Sequence, residues 1–275
     1  MVRLLTMVGP GGIGKSRLAL DVAHRVAPRF SDGAQLIRLA PVSDPVLVPI
    51  LLFRALGIRS QIADERDWWA IRDRHALLLI DNFEHVLVAA PTLVDILTNC
   101  PHISMLVTSR VPLNISGEHE FRVPPLATLT GSYESSESVL QSTAVQLFIE
   151  RSSAVRSGFS PSAEDLNAIA RLTHQLDGLP LAIELAAAQS RHLSPAAIEQ
   201  RLESSIDALA GGPVDRPLHQ RALRDTIAWS YELLEPEMQR AYRLLAIFSG
   251  NVMPQAASFV LGHTDVPTPL LVDEE

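Results

Sequence analysis

The stretch from Gly9 to Ser16 constrains this chain more than any other, because it fits the pattern G-x-x-x-x-G-K-[ST] in full. The apolar run Leu4 to Val8 precedes it, and an amphipathic stretch that begins at Lys15 follows it. In such a strand–loop–helix arrangement, glycines let backbone N–H groups converge on phosphate oxygens, and the helix N-terminus adds partial positive charge. The pattern therefore predicts a phosphate-binding loop in an α/β fold. The alternative is a glycine-rich turn with an incidental lysine.

The use of lysine in the sequence supports the first interpretation. Lys15 is the only lysine among the 23 Lys and Arg residues of the chain. A compact ammonium group suits a phosphate as a point charge. We therefore expect Lys15 to reach the β- and γ-phosphates of a nucleotide, and Ser16 to bind Mg²⁺.

The overall composition is that of a globular chain. Hydrophobic residues make up 47% of the 275 residues, which supports a sizeable core. The formal net charge of −8 gives no general attraction to nucleic acid, so any contact with DNA would have to be local. The single cysteine, Cys100, excludes an internal disulfide framework and a four-cysteine zinc site. No apolar run is long enough to span a bilayer and no export signal is visible, so we expect a soluble cytoplasmic protein with no membrane partner.

The first 127 residues alternate apolar runs with amphipathic stretches. The expected strands are Leu4 to Val8, Ala34 to Leu39, Ala76 to Ile80, Ile103 to Thr108 and, as a weaker pattern, His119 to Val123. The expected helices are Lys15 to Val26, Val46 to Leu56, Glu65 to Arg74 and His85 to Leu97. Strands separated by helices predict a parallel sheet with helices on both faces.

After this region the strand pattern gives way to helices. A linker at 128–142, rich in Ser, Thr and Gly, is expected to lead to an all-helical domain at 143–212. Ser162 and Asp165 have the spacing of a capping box, Gly178 is expected to end that helix, and Pro180 to begin the next. Residues 213–275 follow a second Gly- and Pro-containing boundary, and the helices expected there are His219 to Leu234, Pro236 to Phe248 and Pro254 to Leu261.

Asp81 is the candidate magnesium ligand, because it ends an apolar strand about 65 residues after the loop, as P-loop folds present an acid at the sheet edge. Alternatively, Asp81 caps the helix expected near His85. Asn82 comes directly after Asp81, at a position where many ATPases with rapid turnover carry a second acidic residue. The usual general base is therefore absent from this position. Glu84 either replaces that base or complements the dipole of the first helical turn.

Arg110 is the candidate sensor of bound nucleotide. It follows Thr108 and Ser109 at the end of the next buried strand. At that sheet edge a guanidinium would lie near the γ-phosphate. The alternative is a surface arginine that begins a loop.

Together these features resemble the STAND class of P-loop NTPases, specifically the NB-ARC-like module of bacterial AfsR/SARP and LuxR-type transcriptional regulators. The stretches that carry the resemblance are Leu4 to Ala19, Leu79 to His85, Thr108 to Arg110, Leu176 to Ala188 and Leu223 to Leu234. The resemblance implies a P-loop domain at 1–127, a helical domain whose Pro180 approaches the adenine, and a winged-helix-like domain at 213–275. It also implies an ADP/ATP switch, in which bound ADP holds the domains shut and exchange for ATP opens them toward oligomerisation.

The winged-helix-like domain is expected to be incomplete. After Gly262, the hairpin that such regulators carry is replaced by the short tail His263 to Glu275. The chain is therefore interpreted as the nucleotide module of a larger regulator, or as a shortened copy of one.

These arguments give one set of expected site residues. Lys15, Asp81 and Arg110 are expected to act on the phosphates as catalytic residues, and Ser16 and Asp81 to bind Mg²⁺. The residues expected to hold ATP or ADP are Gly9, Pro10, Gly11, Gly12, Ile13, Gly14, Lys15, Ser16, Arg17 and Pro180.

The expected function is a regulatory ATP/ADP switch that hydrolyses ATP slowly if at all and that binds a protein partner or itself on activation. One alternative is a turnover ATPase, which Asn82 disfavours. The other is a DNA-binding module that acts through the helices after His219. The local basic residues there are Arg216, His219, Arg221 and Arg224. Acidic residues surround this cluster, so a solvated face of mixed charge is favoured and direct DNA binding is not expected.

Overall fold

A parallel sheet forms the first part of the chain. The computed structural model describes residues 2–58, 70–129, 136–204, 231, 236–248 and 254–261. Five strands pair in the order β2-β3-β4-β1-β5, and every pairing is parallel. Their bounds are β1 Leu4–Val8, β2 Ala34–Arg38, β3 Leu77–Asp81, β4 Ser104–Ser109 and β5 Glu118–Arg122. Each expected strand is confirmed, with ends that differ by at most one residue.

Helices cover both faces of this sheet. The helices of this part are α1 Lys15–Val26, α2 Leu47–Ala55 and α3 Pro91–Asn99. Leu78 and Ile80 of β3 pack into one core with side chains of α2 and α3. Leu77 and Leu79 pack into the other core with side chains of α1. This alternation follows from the pleat of a strand, in which successive side chains point to opposite faces. The predicted α/β sheet with two covered faces is confirmed.

The helix expected from His85 to Leu97 is wrong over its first half. Two short 3₁₀ turns, Phe83–His85 and Leu87–Ala89, precede α3, which begins only at Pro91. Inside an α-helix, Pro91 would have no N–H to donate to the carbonyl of Leu87, and its ring would clash with that carbonyl. A helix can therefore begin at Pro91 but cannot run through it.

Helices that follow the sheet pack into a bundle with a core of its own. Their bounds are α4 Ser136–Leu140, α5 Thr143–Val155, α6 Ala163–Gln175, α7 Pro180–Ala188 and α8 Pro195–Ser204. Phe148, Ile169 and Ile183 are fully buried in this core. The predicted capping box is confirmed, since Ser162 and Asp165 exchange side chain-to-backbone hydrogen bonds at the start of α6. The short helix α4 lies inside the stretch that the sequence predicts as a linker.

The last described elements are α9 Pro236–Leu245 and α10 Pro254–Leu261. Most of the helix expected from His219 to Leu234, the basic cluster at 216–224 and the tail at 263–275 lie outside the described residues. So does the first half, residues 65–69, of the helix expected from Glu65 to Arg74. Within the described ranges, no helix combines the length and apolar character needed to cross a membrane.

The register of the sheet brings the ends of three neighbouring strands level. Val8 of β1 pairs with Ser109 of β4, and Ile80 of β3 pairs with Val107 of β4. Because these strands are parallel, the residues that follow them leave the sheet at one edge. Ligands of open α/β sheets bind at this carboxyl edge.

Candidate functional site

The glycine-rich loop joins β1 to α1 at this edge. Gly12 and Gly14 have φ angles of 81° and 96°, a region that residues with a Cβ rarely adopt. Since α1 begins at Lys15, directly after Gly14, the N–H groups of its first turn have no partners within the helix. The loop thus has the backbone conformation that the sequence pattern predicts.

Lys15 lies buried in this loop, with 8% of its surface exposed. Its Nζ donates hydrogen bonds to the carbonyl oxygens of Gly9 at 2.6 Å and Pro10 at 2.9 Å. Burial lowers the pKa of Lys15 to about 8, and the nearby carboxylates of Glu84 and Asp81 partly oppose this effect. The ammonium group is therefore held by the loop and is electrostatically linked to the ends of β3 and β4.

Asp81 is the centre of a network of hydroxyl groups. Its Oδ1 accepts hydrogen bonds from Ser16 Oγ at 2.5 Å and from Thr108 Oγ1 at 2.6 Å. Thr108 Oγ1 in turn accepts from the backbone N–H of Asn82 at 3.0 Å. The structure therefore brings together Ser16 and Asp81, the two residues expected to bind Mg²⁺. The alternative in which Asp81 caps a helix near His85 is wrong, since no α-helix begins there.

Arg110 forms a buried ion pair with Glu84. Its Nε donates to Glu84 Oε1 at 3.2 Å, and the two side chains are 12% and 5% exposed. Asn82 Nδ2 donates to the same oxygen at 3.4 Å. Burial lowers the pKa of Arg110 from its usual value, and the Glu84 carboxylate opposes this shift. The alternative of an exposed loop arginine is therefore wrong.

The bundle meets the loop through the first turn of α7. The N–H of Leu181 donates to the carbonyl oxygen of Gly12 at 3.2 Å. A Cβ added at Gly12 would lie 2.9 Å from the Cβ of Leu181, and one added at Gly14 would lie 3.9 Å from Cγ of Pro180. Pro180 thus lies beside the loop, although it is about 165 residues away along the chain.

Backbone contacts with Leu126 hold the residues that precede α7. Gly178 has a φ of 64°, and a Cβ at this position would overlap with the carbonyl group of Leu126. The N–H of Leu126 donates to the carbonyl oxygen of Gly178 at 3.0 Å. A few residues earlier, the N–H of Val123 donates to the carbonyl oxygen of Val8 at 2.9 Å. The segment after β5 therefore ties α7 to the strand that leads into the loop.

Comparisons with known proteins extend over nearly the whole chain, although no protein-family model matches it. A putative HTH-type transcriptional regulator of Mycobacterium tuberculosis is 35% identical over 99% of this chain and 30% of that protein. An uncharacterized protein of Mycobacterium tuberculosis is 35% identical over 90% of this chain and 61% of that protein. The regulatory protein AfsR of Streptomyces griseus is 29% identical over 94% of this chain and 26% of that protein.

Similarity over 94% of the chain to AfsR includes both the sheet with its phosphate-binding loop and the helical bundle. The chain is therefore similar, over nearly its whole length, to a part of an HTH-type transcriptional regulator and of the regulatory protein AfsR. It spans 30% of the length of the HTH-type regulator and 61% of the length of the uncharacterized protein.

Two solved structures overlap with the chain in part. The ORC2 protein of Aeropyrum pernix, solved as ADPNP–ADP complexes, has a TM-score of 0.48 and 15% identity, over 73% of this chain and 60% of that chain. A STAND protein with a tetratricopeptide repeat sensor from Pyrococcus horikoshii has a TM-score of 0.39 and 14% identity, over 93% of this chain and 34% of that chain.

Arg17 faces the bundle. Its Nη1 lies 3.8 Å from Glu184 Oε1 of α7, and its side chain is 72% exposed. Glu184 Oε1 also lies 3.2 Å from Nε of Arg151 in α5. Unlike Lys15, Arg17 therefore lies at the junction between α1 and the bundle.

Three residues of this arrangement are absent from the set that the sequence predicts. Thr108 could have been found from the sequence, because two residues with hydroxyl groups, Thr108 and Ser109, end an apolar strand. For Glu84, the sequence offers two interpretations, and the structure places this residue in the first turn of a short 3₁₀ helix. For Leu181, no local pattern marks the contact with Gly12, which depends on how the bundle packs against the sheet.

Proposed function

We propose that this regulatory NTPase module binds ATP and ADP with Mg²⁺ at the loop after β1, and that it acts as a slow-hydrolysing nucleotide switch in a transcriptional regulator. The observation that carries this proposal is the direct contact of Ser16 with Asp81 beside the buried Lys15. These groups come from β3 and from the start of α1, and only the folded chain places them together.

The donor set at this point fits a magnesium ion. Ser16 Oγ and Asp81 Oδ1 are oxygen atoms, the ligand type that Mg²⁺ prefers, and they lie 2.5 Å apart. Ser16 and Asp81 would hold the ion together with the phosphates. When bound, the ion neutralises negative charge on β- and γ-phosphate oxygens.

The loop also fits the phosphates of a nucleotide, because it offers N–H donors and positive charge. An ammonium group has three N–H donors, and Lys15 uses two of them on the loop carbonyls of Gly9 and Pro10. The first N–H groups of α1 and the positive end of its dipole add to this charge. Lys15 is therefore proposed to bind the β- and γ-phosphates, and Arg110 to distinguish ATP from ADP.

Slow hydrolysis is proposed from the residue that follows Asp81. An attacking water must lose a proton, and the amide of Asn82 can bind water but cannot accept that proton. A nucleotide that persists on the module can act as a signal.

The switch itself is proposed to act through α7. Its Leu181 is hydrogen-bonded to the carbonyl of Gly12 in the loop, and Glu184 lies near Arg17. A change in the loop that accompanies nucleotide exchange would therefore reach the bundle directly. The names of the HTH-type and AfsR relatives support a role in transcriptional regulation.

The most direct test is to denature the freshly purified chain and to identify any released nucleotide by chromatography. Release of ADP at close to one equivalent supports a switch that retains its nucleotide. If no nucleotide is released, titration with Mg-ADP and Mg-ATP decides the matter. A chain that binds neither contradicts the proposal.

A further inference from the structure

The proposed function gives roles to Lys15, Ser16, Asp81 and Arg110, but none to Glu84. Glu84 lies in the 3₁₀ turn Phe83–His85 that follows β3. Phe83, the first residue of this turn, is fully buried in the core beneath the sheet edge. The turn is therefore anchored, and it places the Glu84 carboxylate against the residue that follows β4.

The contacts of Glu84 Oε1 fix the guanidinium group of Arg110. This oxygen accepts from Arg110 Nε at 3.2 Å and from Asn82 Nδ2 at 3.4 Å. Since Nε lies in the plane of the rigid guanidinium, a hydrogen bond to it restricts the orientation of the whole group. Both side chains are buried, at 12% and 5% exposure, so solvent weakens their attraction little.

The environment of Glu84 does not suit a general base. Its Oε1 is already engaged by Arg110 Nε and by Asn82 Nδ2, so both groups compete with a water molecule for this oxygen. Its Oε2 is buried and makes no hydrogen bond within the described residues. A water molecule that attacks a phosphate would have to reach one of these two oxygens.

We propose that Glu84 is the positioning residue of Arg110, and that it holds the guanidinium in the orientation that distinguishes bound ATP from bound ADP. This inference rests on the proposed function, in which Arg110 reads the γ-phosphate. Glu84 itself acts through Arg110 and does not touch the reacting atoms.

The test is a double-mutant cycle of Glu84→Gln and Arg110→Gln, read out as Kd values for Mg-ADP and for Mg²⁺ with a non-hydrolysable ATP analogue. Each single variant is expected to weaken binding of the ATP analogue about tenfold, the size of one hydrogen bond to a charged group, and to leave ADP binding nearly unchanged. The double variant is expected to be no weaker than Arg110→Gln alone, since both changes remove the same contact.

A matched control is Glu199→Gln. It removes an ion pair in the bundle, in which Nε of the partly exposed Arg171 lies 2.6 Å from Glu199 Oε1. This variant is expected to keep the wild-type ratio of ATP to ADP affinity. Glu84→Asp serves as a second variant, because it keeps the charge but shortens the reach to Arg110. It is expected to lower the same ratio, and circular dichroism checks that each variant is folded.

Two results overturn the inference. One is an unchanged ratio of ATP to ADP affinity in Glu84→Gln while the wild type binds both nucleotides. The other is a loss of single-turnover hydrolysis in Glu84→Gln that persists in the Arg110→Gln background, which would identify Glu84 as the base. Failure of the wild type to bind either nucleotide would instead contradict the proposed function itself.

Discussion

The backbone N–H of Leu181 donates a hydrogen bond to the carbonyl oxygen of Gly12 at 3.2 Å, so the first turn of α7 rests on the phosphate-binding loop. This contact joins two parts of the chain that have separate hydrophobic cores. Leu179, two residues before Leu181, packs against both cores. The loop and the bundle therefore cannot move independently without breaking contacts at this point.

Substitution of Gly12 by alanine is expected to destabilise the chain more than the backbone angle alone explains. A positive φ costs an alanine about 1–2 kcal/mol. At Gly12 the new Cβ would also lie 2.9 Å from the Cβ of Leu181, whereas at Gly158 (φ 74°) a Cβ would meet nothing within 4 Å. We therefore expect Gly12→Ala to lower the free energy of unfolding by more than Gly158→Ala does, as measured by urea denaturation. Equal losses in the two variants would show that the contact with Leu181 contributes little.

Nucleotide is expected to stabilise the folded chain through Lys15. At a hundredfold excess of Mg-ADP over its Kd, linkage predicts ~2.7 kcal/mol, or roughly 5 to 10 °C in Tm for a chain of this size. Lys15→Ala is expected to abolish most of this shift in a thermal melt. Arg25→Ala, at an exposed position near the end of α1, serves as the control and is expected to keep the shift. A wild-type Tm that does not respond to millimolar nucleotide would contradict the prediction.

Asp81 is expected to act through the metal ion. Asp81→Asn keeps an oxygen that can accept from Ser16 and Thr108, but it removes the negative charge. We therefore expect it to weaken Mg²⁺-dependent ATP binding more than ADP binding in the presence of a chelator, as measured by isothermal titration calorimetry. Asp95→Asn, at an exposed position of α3, is the control and is expected to leave both affinities unchanged. Equal losses of Asp81→Asn in all conditions would mean that Asp81 has only a structural role.

The burial of Lys15 predicts a dependence of stability on pH in the absence of nucleotide. Its pKa falls from 10.5 to about 8 on folding, so between these values the unfolded chain binds more protons than the folded chain. Lys15 therefore destabilises the folded chain most below about pH 8. This destabilisation decreases, and the free energy of unfolding increases, as the pH rises toward 10.5. The total change is up to roughly 3 kcal/mol.

Lys15→Met isolates this effect, because methionine does not titrate. Denaturant unfolding of the wild type and Lys15→Met at several pH values between 8 and 10.5 gives the comparison. The wild type is expected to gain stability relative to the variant as the pH rises. Parallel pH profiles would show that Lys15 keeps its ordinary pKa in the folded chain.

The sequence by itself determined the sheet, the loop and most helices. The strand that ends at Val8, the glycines before Lys15 and the capping box at Ser162 follow from patterns within a few residues. Strand pleat, positive φ angles and capping are local properties, so a short window of sequence carries them. The helix expected from His85 to Leu97 is wrong in its first half because its apolar spacing is helical throughout, whereas Pro91 allows an α-helix only from that residue onward.

The tertiary structure alone decided how the site is assembled. It paired Arg110 with Glu84, and it seated Leu181 on Gly12. The partners in these contacts are 26 residues apart in the first case and come from separate cores in the second. No local pattern encodes them, because they depend on the order and register of parallel strands and on the packing of the bundle against the sheet edge. The sequence specifies the chemistry of each side chain. The order of the strands in the sheet decides which strand ends are neighbours, and therefore which buried charges pair.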